Sequence, residues 1–75
     1  MYGPLLRKAR LRAGYTLLEI AEALECSESF VLLVEKELRV PAHGRLTELC
    51  QFLGIDPAPL EQEIGERLVE RWRRT

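Results

Sequence analysis

Seventy-five residues suffice for one domain and one core, and leave little surplus for a catalytic cleft. With 47% apolar, 31% charged and 7% aromatic residues, the composition favours short helices over strands, so the expected fold class is all-α. A net charge of -1 excludes the uniformly basic surface that announces nucleic-acid binding by composition alone, so the placement of the charges has to carry any such argument.

Cations gather at Arg7, Lys8, Arg10 and Arg12 near the start and at Arg67, Arg71, Arg73 and Arg74 at the end, with an acidic or apolar middle. Either cluster reads as phosphate-facing or as simply solvated. Pro4 fits the first turn of a helix running to Ala13, where Gly14 supplies a left-handed cap. Thr16 to Glu19 spells a capping box and starts a second helix with an inward stripe of Leu17, Ile20, Ala21 and Leu24, ending near Glu25 or Cys26. Ser27 caps a third helix from Glu28 to Lys36 or Glu37. So short a connection forces a steep crossing, which is the geometry of a helix-turn-helix.

Pro41 pushes Val40 toward an extended conformation, so residues 38–41 read as a loop. A fourth helix then runs from His43 to Leu53, burying Leu46, Leu49, Cys50 and Leu53, and closes at Gly54. Asp56 as cap and Pro57 at the first helical position start a fifth helix over residues 57–74. Along it, Leu60, Ile64, Leu68 and Trp72 recur every fourth residue, as a homodimer seam or as the inner face of a packed terminal helix. The whole of 1–75 reads as a single helix-turn-helix domain with a core over 4–60.

Cys26 and Cys50 lie in apolar helical patterns without CxxC or Cys/His spacing, so they read as free buried thiols in a reducing compartment, with no metal. The arginine-rich opening holds no apolar run long enough for a signal peptide or membrane span, and the expected location is cytoplasmic. His43, the one histidine, has no matching nucleophile, ligand set or phosphate loop. The expectation is therefore a protein without cofactor or enzymatic activity.

These caps, core positions and loop lengths resemble the Cro/C1-type (XRE-like) helix-turn-helix domain of phage and bacterial repressors over residues 5–60. Leu6, Ala9, Arg10 and Gly14 match its first helix, Thr16 to Ala21 its second, Ser27 to Glu35 its third, and Pro41 to Gly54 its fourth. The resemblance implies a five-helix Cro/C1-repressor-like domain, here with an extended C-terminal helix, and a structural ion pair between Arg10 and Glu35. It also implies a homodimeric regulator that binds double-stranded DNA sequence-specifically, with its third helix in the major groove. On that pattern Glu28, Ser29 and Leu33 face the bases, and Leu17 takes the place of a phosphate-contacting glutamine. Phosphate contacts then fall to Lys36, Arg39, Arg45, Arg7 and Arg12. None of the base-facing positions holds Arg, Lys, Asn or Gln, although Glu28 could accept from a cytosine amine and Leu33 could meet a thymine methyl.

The third helix carries five consecutive apolar residues, Phe30 to Val34, which cover every side of it. Val31 and Val34 match core positions and Phe30 can wedge against the fourth helix, leaving Leu32 and Leu33 outside. An exposed apolar patch marks a partner surface. The alternative function is thus a protein-interaction module on the same scaffold, using Leu17, Phe30, Leu32 and Leu33 to bind a partner such as a transcription-complex component.

Overall fold

The computed structural model describes residues 1–74, with side chains described through residue 68. It contains α1 (Tyr2–Ala13), α2 (Leu17–Ala23), α3 (Glu28–Glu35), α4 (His43–Leu53) and α5 (Ala58–Arg74), and no strand among the described residues. None of the described helices is long and apolar enough to cross a membrane.

Three of the helix starts are local events. In the capping box of α2, the Glu19 amide donates to Thr16 Oγ1 at 3.1 Å and the Thr16 amide donates to Glu19 Oε1 at 2.9 Å. Ser27 Oγ accepts from the Phe30 amide at 3.0 Å to open α3. Asp56 Oδ1 accepts from the Ala58 amide at 3.0 Å, and α5 starts at Ala58, one residue beyond Pro57. The start of α1 is different. It lies at Tyr2, ahead of Pro4, without a side-chain cap of its own, and carboxylates from distant elements meet its orphan amides. The Tyr2 amide donates to Glu63 of α5, and the Gly3 amide donates to Glu37 Oε2 at 3.0 Å.

All of α1 to α4 end in the paired backbone bonds of a Schellman turn around one left-handed residue. For α1 and α4 that residue is a glycine, Gly14 (φ 81°) and Gly54 (φ 71°), and for α2 and α3 it is a glutamate, Glu25 (φ 54°) and Glu37 (φ 61°). The helical runs of α2 and α3 therefore stop at Ala23 and Glu35, short of the ends expected from the apolar periodicity.

The core forms two adjoining clusters. Tyr2, Leu6, Val34, Leu46, Cys50, Leu60 and Ile64 make the first, and Ile20, Ala21, Val31 and Leu49 the second. Phe30 and Leu53 pack against both and join them. The core therefore reaches beyond residues 4–60 at both ends, to Tyr2 and Ile64. Along α5, Leu60 and Ile64 lie inside the monomer core, where leaving water stabilises them, as expected of the inner face of a packed terminal helix. Leu68 is exposed, and the Trp72 side chain lies outside the described residues.

Candidate nucleic-acid interface

The helix-turn-helix consists of α2 and α3, held from behind by α1. The main tie is Arg10, whose Nε donates to Glu35 Oε2 at 2.7 Å and whose Nη2 donates to Glu35 Oε1 at 3.1 Å. Its Nη1 also donates to the Tyr15 carbonyl at 2.9 Å, so one guanidinium links α1, α3 and the turn before α2. Both partners are buried, and the hydrogen bonds from Arg10 to Glu35 raise the arginine pKa against the opposing effect of desolvation. The pair sets the position of α3 and is withdrawn from any ligand.

On the outer side, Glu28 and Ser29 are exposed at the first turn of α3, Leu32 is exposed, and Leu33 is half-buried. Leu17 and Phe30 are both partly buried against the core, Leu17 at the first turn of α2 beside the second cluster and Phe30 between the two clusters. Of the interface set Leu17, Phe30, Leu32 and Leu33, Leu32 is exposed and the other three are partly buried. Leu18 of α2, 51% exposed, and Leu38 after α3, 73% exposed, are apolar side chains left in water nearby in sequence.

The cations are also redistributed. Lys36 is exposed beyond the end of α3, and the Arg39 guanidinium lies 5.1 Å from the centroid of the Phe30 ring. Arg7 and Arg12 are exposed on α1. Arg45 is not available in the same way, since it donates to the Leu24 carbonyl and, at 3.4 Å, to the Glu25 carbonyl, and pairs with Glu48 at 3.2 Å. It closes the C-terminal end of α2, where carbonyls without helical partners attract a cation. Nothing in the local sequence around Arg45 signals that role.

Four exposed carboxylates, Glu19, Glu22, Glu25 and Glu28, run along α2, the turn and the start of α3. The helix-turn-helix surface is therefore acidic at its turn and basic beyond the end of α3.

A second set of tying residues surrounds Tyr2, and sequence reasoning did not single it out. The Tyr2 hydroxyl donates to the Arg39 carbonyl at 3.2 Å, the Arg67 guanidinium lies 5.3 Å from the ring centroid, and Arg67 also pairs with Glu37. Glu63 pairs with the Met1 amine at 2.6 Å. Burial alone would raise the Glu63 pKa, but hydrogen bonds from that amine and the Tyr2 amide outweigh it and hold the carboxyl below its ordinary value.

For other chemistry, burial pushes the Cys50 thiol up to about 11, and His43 is exposed with Nδ1 3.3 Å from Glu61 Oε1. Among the described residues, no group of three His, Cys, Asp or Glu side chains is placed to hold a metal ion.

The sequence model of the family described as helix-turn-helix domain matches residues 2–62, from the start of α1 into α5. No curated protein and no solved structure gives a significant match. The matched span contains the α2–turn–α3 unit, its brace to α1 and the whole of α4, and on that ground the chain belongs to the helix-turn-helix domain family, a fold through which DNA-binding regulators present a helix to a duplex.

Proposed function

We propose that the chain is a sequence-specific transcription regulator of the Cro/C1 type, without catalytic activity of its own, that acts in the cytoplasm by occupying an operator as a homodimer. The observation that carries this reading is the rigid presentation of α3: the Arg10–Glu35 tie and both core clusters hold its inner side while Glu28 and Ser29 stand free at its first turn. Glu28 accepts from a cytosine amine, and Leu33 meets a thymine methyl with its accessible part. Phosphate contacts come from Lys36, Arg39, Arg7 and Arg12. Two-fold pairing sets two copies of α3 on half-sites one helical turn apart.

A second reading has its own support in the four carboxylates Glu19, Glu22, Glu25 and Glu28, beside exposed Leu18 and Leu32. Phosphate repels such a surface, whereas a protein partner such as a transcription-complex component can match it.

Titration against a pool of genomic duplex fragments at two salt concentrations separates the two readings. For a homodimeric regulator, a selected duplex binds with a log–log salt slope of about -7 if all eight phosphate contacts form, four from each copy. Glu28→Ala then relaxes selectivity, while Arg39→Ala weakens all duplexes alike and reduces the slope by about 2, one contact being lost from each copy. Failure of any duplex to bind above the non-specific level removes the regulator reading and leaves the protein-partner one.

A further inference from the structure

Away from α2 and α3, the molecule leaves an open apolar groove of about 640 Å³ between α1 and the beginning of α5. Leu5, Ala9 and Ala13 form one wall, at spacings that put them on one flank of α1. Leu53, Ile55 and Pro59, from the end of α4 through the first turn of α5, form the other. Leu5 is 49% exposed, so the core does not account for it.

The lip of the groove is charged. Lys8 and Arg12 line it, both exposed, and neither pairs with a carboxylate among the described residues. Asp56 is the one acid in the lining, and its Oδ1 is engaged by the Ala58 amide. A positive rim over an apolar floor is therefore a local feature of a domain whose net charge is -1.

We propose that this groove is a docking site for an acidic amphipathic helix of a partner protein. The partner places apolar residues at helical spacing between the walls and its carboxylates opposite Lys8 and Arg12, the arrangement of helix-in-groove recognition. Charge complementarity selects the sign of the partner, and the walls select its class. Leucine, isoleucine and proline walls give a nucleic acid nothing to contact, and two cations are a thin anchor for a phosphate backbone. No residue of α2 or α3 lines the groove, and the proposal does not rest on the DNA-binding reading, although Arg12 is shared between this rim and the phosphate contacts of that reading.

The test uses the full chain and two synthetic amphipathic peptides of about 20 residues, long enough to form helix. They share one leucine stripe but are flanked by Glu in one and by Lys in the other, and are titrated by fluorescence anisotropy. The Glu peptide binds about tenfold or more tightly than the Lys peptide, Lys8→Glu abolishes that preference, and Leu5→Gln weakens the Glu peptide by roughly tenfold. Both positions are exposed, and unchanged thermal melts confirm that the variants fold. The proposal is overturned if neither peptide binds, if both bind equally, or if Lys8→Glu leaves the preference intact. It is also overturned if sedimentation shows self-association that both variants abolish, because a second copy of the chain then fills the groove.

Discussion

The tightest constraint on a single residue falls at Gly3. A Cβ there would stand 2.1 Å from the Glu35 carbonyl oxygen and 2.8 Å from Glu37 Cγ, so α1 can cross the end of α3 only because this position has no side chain. Gly3→Ala is expected to cost about 2–3 kcal/mol, since one of the atoms to be displaced is backbone. Gly65, in the middle of α5, meets nothing within 4 Å, and Gly65→Ala is expected to add about 0.5–1 kcal/mol through helix propensity alone. Urea unfolding of the two variants reads opposite signs for the same chemical change. Arg45 carries a similar lesson about context. Its guanidinium belongs to the end of α2, twenty-one positions back at Leu24, so an arginine that looks like a phosphate contact in sequence is a cap in three dimensions.

At the scale of the element, the helix ends separate local from distant encoding. Gly14 and Gly54 announce their turns, whereas Glu25 and Glu37 take the same left-handed conformation at a cost of about 1–2 kcal/mol. Glu25 is exposed, and its amide donates to the Glu22 carbonyl while its carbonyl accepts from Arg45, both backbone bonds that glycine keeps. Glu25→Gly is therefore expected to raise stability by up to about 1 kcal/mol. Glu37 also has a left-handed backbone, but its carboxylate accepts from the Gly3 amide and pairs with Arg67. Glu37→Gly relieves the backbone and removes both ties, and is expected to destabilise the fold. Thermal melts of the two single variants test the contrast, and equal shifts would mean that the Glu37 carboxylate contributes little.

For the molecule as a whole, the start of α1 is joined to α5 by charge. Glu63 of α5 holds the Met1 amine and the Tyr2 amide, and its pKa is lowered from the ordinary 4.5. A carboxyl depressed by folding contributes stability that is present above its unfolded value and is lost as pH falls through its folded value. The melting temperature is thus expected to drop as pH is taken from about 5 toward 3, and Glu63→Gln is expected to flatten that limb while lowering stability at neutral pH. A variant as steep in acid as the parent would place the acid sensitivity elsewhere. The same scale governs the candidate interface, where carboxylates around the α2–α3 turn and cations beyond α3 divide one surface into two signs.

The sequence by itself determined the five helices, the capping box at Thr16, the caps at Ser27 and Asp56, and most of the buried stripes, because each is written in residues within a turn or two of one another. The Arg10–Glu35 tie, twenty-five positions apart, was legible through resemblance to a family pattern and not through spacing. Only the tertiary structure decided that α1 begins at Tyr2 under carboxylates from other elements, that Phe30 joins both core clusters, that Leu60 and Ile64 pack inside the monomer, and that Arg45 closes α2. Each of these depends on which surfaces meet after the helices pack, and helical periodicity records that a face is apolar without recording what covers it.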